Sequence, residues 1–268
     1  MPPLAQAADD AVVYETDGPV ATIRLNRPAQ LNPLGPAQFP PILEGIRKAT
    51  DDPAIRVLVV TGAGKAFSAG GDVKTMEARL SQPVPGRWNY LTEISGVASS
   101  LTACPKPVVA VIRGACVGAG LSIAAACDIR LASTTAKFGA VFTKIGLASD
   151  LGLSFLLPKL VGHAKALEMY YTGELVMAEE AKAIGLVNRL VPDEKLDEEA
   201  ASFVEKLASG PTGSLSMVKR QVYLALESSM RAVLELEAAH QTIATYGEDA
   251  REGIRAINEK RPPGFKGK

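Results

Sequence analysis

The sequence predicts an α/β core followed by a helical C-terminal region. Three observations carry this. Buried strand-like runs alternate with helical runs through the first half, two of those strands end in glycine-rich segments of small residues, and from about Leu151 onward almost every periodic stretch has three- and four-residue spacing.

In chain order, "AVVYET" and "VATIRL" are two short β-rich runs separated by "DGP", which reads as a hairpin. "PAQFPPILEGIRKATDD" reads as a helix with prolines at its start, and "IRVLVVTG" as a buried strand ended by glycine. The order recurs as a helical stretch from about Trp88 to Ala103, a strand "KPVVAVIRG", a helix "GLSIAAA" and a strand "CDIRLA". Such alternation favours parallel pairing. The segment between Lys74 and Trp88, with "SQPVPG", reads as a flexible wall of a pocket. Farther on, "HAKALEMYYTG", "MAEEAKAIG", "DEKLDEEAASFVEKLAS" and "RAVLELEAAHQTIATYG" are helical. The expected organisation is a flexible N-terminus over 1–10, a core over 11–195 and a helical region over 196–268, ending in the basic tail "EKRPPGFKGK".

Composition narrows the function classes. Of 268 residues 47% are hydrophobic and 22% charged, as in a soluble globular chain. Twenty-nine basic and 29 acidic residues cancel, so nothing marks a nucleic-acid or anionic-membrane surface, and an anionic ligand must be met by a few local groups. Cys104, Cys116 and Cys127 form no C-x-x-C, which argues for reduced core thiols, no metal site and a cytoplasmic setting. No leader pattern and no 18-residue apolar run is found in the sequence.

Several familiar motifs fail on inspection. "GAGK" at 62–65 lacks the glycine five residues before Gly64 and has Ala66 where a phosphate loop needs Ser or Thr. "GACVGAG" yields no dinucleotide fingerprint, because Ile123 stands where the third glycine should be. Ser122 sits in "GLSIA" without the second glycine of a hydrolase elbow, and the two histidines, His163 and His240, lie in helical contexts that read as structural.

What remains is a pair of turns. The strands "IRVLVVTG" and "KPVVAVIRG" run into "AGKAFSAGGDV" and "ACVGAGLS". Small residues let a ligand approach the backbone, and an N–H at a helix start points outward at the positive end of the dipole. Two such donors meeting at one oxygen would form an oxyanion hole; glycines used only for tight packing are the alternative reading.

With these turns the sequence resembles the enoyl-CoA hydratase/isomerase (crotonase) family from about Val13 to Phe265. The resemblance is carried by "RLNRPAQLNPL", "VLVVTGAGKAFSAGGDVKTM", "KPVVAVIRGACVGAGLSIAAACDIRLAS", "AKFGAVFTKIGLASDLGLSFLLPKLVG" and "TGELVMAEEAKAIGLVNRLVP". It implies a crotonase-like (ClpP/crotonase) core of stacked β-β-α repeats, a helical C-terminal region that builds homotrimers or homohexamers, and an acyl-CoA substrate with no cofactor beyond that CoA. It also implies that the backbone N–H groups of Gly71 and Ala119 bind the thioester oxygen, with Ala69, Gly118, Ser122 and Phe142 lining the substrate pocket. Asp72, Val73, Lys74, Phe265 and Lys266 fall at CoA-binding positions. Ala29 and Gln30 replace a basic residue common in relatives.

The departures from the family decide the expected reaction. Hydratases of this family use two glutamates, and the matching positions here are Ser122 and Phe142. Neither can activate a water. Asp150, in "GLASDLGLS", is the remaining carboxylate and matches the aspartate of single-aspartate isomerases that act on ring-epoxide or oxepin thioesters. The expectation is an enoyl-CoA isomerase in which Asp150 removes a proton and returns it elsewhere; a hydratase and a non-catalytic CoA-binding protein are the alternatives. Dehalogenases of the family add a histidine from "WNYLTEISGVASSLTA", which has none. Read locally, Asp150 is also a good N-cap for the apolar helix "LGLSFLL".

Overall fold

A computed structural model describes residues 10–267. The flexible N-terminus expected over 1–10 falls outside the described residues except for Asp10. The chain opens with the hairpin β1 (Val12–Asp17) and β2 (Val20–Leu25), antiparallel, with Val12 opposite Leu25. Helix α1 (Phe39–Asp51) follows with prolines in its first turn, where a missing N–H costs nothing. Strand β3 (Val57–Gly62) pairs parallel to β2 and carries the chain into the first glycine turn.

Next come α2 (Val73–Leu80) and α3 (Val84–Ala103). The segment expected to be a flexible wall is therefore helical, with Asp72 capping α2 and Pro83 preceding α3. Charged residues and prolines hid these helices, and α2 buries none of its residues. Then follow β4 (Val108–Ile112), β5 (Ala115–Val117), α4 (Ala119–Ala126), β6 (Ile129–Ser133) and β7 (Lys137–Gly139). After α5 (Leu153–Val161) and α6 (His163–Thr172), β8 (Val176–Met177), α7 (Ala178–Ala183) and β9 (Arg189–Val191) complete the α/β part.

The larger sheet has the order β1-β2-β3-β4-β6-β9, parallel beyond the opening hairpin, and a smaller sheet has the order β5-β7-β8. Alternation along β3 and β4 separates two cores. Leu58, Val60, Val108, Ala110 and Ile112 face α1, α3 and α4, while Val57, Val59, Val109 and Val111 face α8 (Leu196–Ala208) through Leu196, Ala200 and Val204. This corrects the boundary expected near residue 195: α8 covers one face of the sheet and belongs to the core. The helical region that projects from it is α9 (Thr212–Ala225), α10 (Met230–Tyr246) and α11 (Glu248–Asn258).

All three cysteines are free and buried, as their spacing predicts. Burial pushes the Cys127 thiol up to about 12 and that of Cys116 well above its usual value, so both are inert packing groups. No helix among the described residues is long and apolar enough to cross a membrane.

Candidate active site

The two glycine turns lie side by side. Beyond β3 and β4 the chain segments pair again in parallel, with Ser68 bridged to Cys116, Ser68 N–H donating to Ala115 O at 2.8 Å and Val117 N–H to Ser68 O at 3.1 Å. Gly71 and Ala119 each lie three residues farther along their segments. The turns touch at two glycines: a Cβ on Gly70 would lie 2.9 Å from Val117 O, and one on Gly118 would lie 3.7 Å from Gly70 Cα. Gly118 has φ +52° and ψ −126°, a conformation that a side chain would strain, and it delivers Ala119 as the first residue of α4. Among the described residues no acceptor stands against the N–H of Gly71 or Ala119.

The "RLNRPAQLNPL" stretch is the scaffold beneath this turn. Ala69 N–H donates to Leu31 O, Leu34 N–H to Gly70 O and Asp72 N–H to Leu34 O, each at 2.8 Å. Buried Asn32 ties the same layer down by donating to Ala63 O and Ala66 O, and Ser68 Oγ donates to Asn32 O. Asp72 is engaged structurally: its carboxylate accepts from Lys74 N–H at 3.2 Å and pairs with Arg27 at 2.9 Å. Ala69, Val73 and Lys74 are exposed along the rim of the turn.

Asp150 enters from the other side of α4. Ser122 is fully buried, and its hydroxyl lies 3.3 Å from both Gly118 O and Asp150 O, which sets the Asp150 backbone against the first turn of α4. The reading of Asp150 as a helix cap is overturned. Helix α5 starts at Leu153 with Gly152 in the cap position and no side-chain cap bond, because Leu151 (φ +50°) and Gly152 (φ +73°) are both left-handed and turn the chain away. A leucine held in that region costs about 1–3 kcal/mol, which the buried Leu151 side chain offsets.

One oxygen of the Asp150 carboxyl is consequently uncommitted. This oxygen, Oδ1, is buried and has no hydrogen-bond partner among the described residues. Burial pushes the group up from 3.8 to about 6, against the opposing pull of the Arg79 guanidinium and a backbone hydrogen bond. A carboxyl poised near neutrality can act as base and acid in turn.

Phe142 is buried, its ring 6.4 Å from that of Tyr170. The Tyr170 hydroxyl shares a 2.8 Å hydrogen bond with Ser149, and Tyr170 and Tyr90 both feel the Asp150 charge. Arg79, Tyr90, Tyr170 and Ser149 were not singled out from the sequence, and no local spacing marks them; four separate segments supply them. Neither histidine is among the groups acting on Asp150.

Phe265 and Lys266 are not gathered into this site. Phe265 O accepts from Arg56, at the opposite end of β3 from the Gly71 turn, and the N–H groups of Lys266 and Gly267 donate to Asp249 at 2.7 and 2.8 Å. A six-residue strand separates the two places by about 20 Å. A cavity of about 1110 Å³ between α3, α5 and the α9–α10 pair reaches Gly152 but not Gly71 or Ala119.

Residues 15–268 match the family description Enoyl-CoA hydratase/isomerase. The chain belongs to the enoyl-CoA hydratase/isomerase family. It is 34% identical over 250 residues to the 1,2-epoxyphenylacetyl-CoA isomerase of Escherichia coli (strain K12), covering 93% of this chain and 95% of that protein. It is 35% identical over 260 residues to the (E)-benzylidenesuccinyl-CoA hydratase of Thauera aromatica, covering 96% and 99%. The crystal structure of an enoyl-CoA hydratase from Bacillus anthracis superposes with a TM-score of 0.90 at 30% identity, covering 96% of this chain and all of that one. The similarity spans the core and the helical C-terminal region, and relatives named for isomerisation and for hydration are similar to nearly the same degree.

Proposed function

We propose that this family member is an enoyl-CoA isomerase that moves a double bond with Asp150 as its acid/base group. The reading rests on one observation: the Asp150 carboxyl has a buried, unpartnered oxygen and is raised to about 6 by burial, beside a first turn of α4 whose Ala119 N–H has no acceptor among the described residues. Ionised Asp150 removes a proton from C2 of a 3-enoyl thioester. The C–H electron pair moves through C2 and C1 onto the thioester oxygen, where the N–H groups of Gly71 and Ala119 stabilise the charge. Protonated Asp150 then returns the proton to C4 as the pair moves back, and the double bond lies between C2 and C3. Protons and electrons balance within substrate and aspartate, so the step calls for no cofactor beyond the CoA carried by the substrate.

Ser122 turns its hydroxyl to backbone carbonyls and Phe142 fills the second acidic position with a ring, which leaves water without a second activating group. A hydratase is the second reading, favoured by relatives such as the Thauera aromatica enzyme. Val73 and Lys74 are the rim residues assigned to CoA, together with Asp72, which also shapes the turn, while Ala69 is assigned to the substrate pocket. Phe265 and Lys266 would meet CoA only across a subunit boundary. Exposed Val222, Met230, Leu234, Ile254 and Ile257 on α9, α10 and α11 are the faces assigned to homotrimer or paired-trimer contacts; a monomer mass by light scattering would remove that assignment.

The decisive experiment is Asp150→Asn assayed with a 3-enoyl-CoA. Turnover is expected to fall by about 10²–10⁴. Activity within about tenfold of the unchanged protein would defeat the isomerase reading, and steady hydration of crotonyl-CoA by the unchanged protein would favour the hydratase.

A further inference from the structure

The Ala119 N–H is aimed by the helix it begins, but Gly71 belongs to neither β3 nor α2, so something else must aim its N–H. Gly71 is bridged in parallel to Leu34 through the groups on either side of it: Leu34 N–H donates to Gly70 O and Asp72 N–H donates to Leu34 O, each at 2.8 Å. A trans peptide is planar, with its C=O and N–H pointing in opposite directions. Fixing Gly70 O against Leu34 therefore turns the Gly71 N–H away from the "RLNRPAQLNPL" scaffold.

The peptide before it needs its own anchor, because Gly70 has φ +90° and no side chain to resist rotation. Ser68 supplies that anchor. Its Oγ accepts from Gly70 N–H at 3.1 Å and donates to Asn32 O at 2.8 Å, which uses its single proton and leaves its orientation set. The side chain is fully buried. It also fills a notch in the second turn, where a Cβ on Gly120 would lie 2.6 Å from Ser68 Cβ and 3.0 Å from its Oγ. Ser68 thus touches the scaffold, the Gly71 turn and the first turn of α4 at once.

A serine that accepts from the N–H two residues on is also a common turn device. Ser133, fully buried at the end of β6, does this with Thr135 N–H at 3.2 Å and shares its hydroxyl with Thr135 Oγ. Ser68 differs in joining three segments distant in the chain, two of which carry the N–H groups of Gly71 and Ala119.

We propose that Ser68 is a positioning residue for the oxyanion hole. Its hydroxyl locks the Gly70 peptide, and its packing on Gly120 sets the spacing of the two turns, so that the N–H groups of Gly71 and Ala119 converge on one thioester oxygen. Misplacing a group by about 1 Å can cost about 10²-fold in rate, so a lost anchor beneath a donor is felt in turnover. This inference deepens the oxyanion reading of the two turns and rests on it.

The probe is butyryl-CoA labelled with ¹³C at its carbonyl, a saturated thioester with no double bond to move, bound to the full chain and read by infrared difference spectroscopy. Hydrogen bonds to the oxygen weaken the C=O bond, so the downshift of its stretch on binding reports the donors. Ser68→Ala is expected to lose about half of the downshift or more and, in the isomerase assay, to lower kcat by about 10- to 100-fold with KM changed less than about threefold. Ser133→Ala, a matched loss of a buried hydroxyl, should change neither. Ser68→Cys, which keeps only a weak donor, should lose a smaller share of the downshift, and it carries the test if Ser68→Ala does not fold. A full downshift in either Ser68 variant, or equal losses in Ser68→Ala and Ser133→Ala, would overturn the proposal. No downshift in the unchanged protein would defeat the oxyanion reading and the proposal with it. Binding involves no proton transfer, so full turnover by Asp150→Asn would defeat the isomerase reading and leave the infrared result as it is.

Discussion

Two half-buried carboxylates lie near the two ends of α4, and their surroundings differ completely. Asp128, between α4 and β6, pairs with Lys219 at 2.9 Å, accepts from Val108 N–H at 2.7 Å and from the Tyr223 hydroxyl at 3.1 Å. Asp150 has Oδ1 buried with nothing bound to it. Burial raises both carboxyls, but at Asp128 the lysine, the amide and the tyrosine all oppose the rise. Asp128 fastens α9 to the sheet, with Lys219 also donating to Leu101 O at 3.0 Å. The contrast teaches that burial alone does not mark a reactive acid; burial without partners does.

The comparison can be broken by removing each carboxylate in turn. Asp128→Ala leaves the Lys219 ammonium buried and unpaired, and is expected to cost about 3–5 kcal/mol in chemical denaturation. If it costs under about 1 kcal/mol, Asp128 is not the anchor described. Asp150→Asn should do the reverse. A folded value of about 6 against 3.8 in the unfolded chain means that ionised Asp150 destabilises the fold above pH 6, with the penalty relieved as pH falls through 6 toward 4. Asp150→Asn is therefore expected to gain about 3 kcal/mol at pH 8, less any loss from its own unpaired amide, and to gain little near pH 4. A loss of stability at pH 8 would revive the helix-cap role that the geometry denies.

A smaller effect sharpens the same contrast. In the unchanged protein kcat/KM should fall about tenfold per pH unit well below a midpoint near 6, the value to which burial brings Asp150. An acid limb near pH 4 would mean that substrate binding rehydrates or pairs the carboxyl.

Much of the fold was legible because its signals are local. The hairpin, β3, β4, α4 and the amphipathic C-terminal helices each announce themselves by period and by flanking glycine or proline. The small sheet was not, since β5, β7 and β8 are two or three residues long and too short for alternation to register. Helix α8 read as helical, but nothing in its spacing told that Leu196, Ala200 and Val204 cover a sheet face. Within the site, the glycine turns and Asp150 stood out, whereas Arg79, Tyr90 and Tyr170 look like ordinary surface and core residues until α2, α3 and α6 converge.

The sequence by itself determined the element order, the two small-residue turns and the presence of one carboxylate in an apolar stretch, because these depend on residue type and on neighbours a few positions away. Only the tertiary structure decided that the two turns touch at Gly70 and Gly118, that Leu151 and Gly152 turn left-handed and withdraw Asp150 from its helix, and that both Asp128 oxygens are bonded while Asp150 Oδ1 is not. Those properties depend on which groups from distant segments reach a buried oxygen, and on which do not.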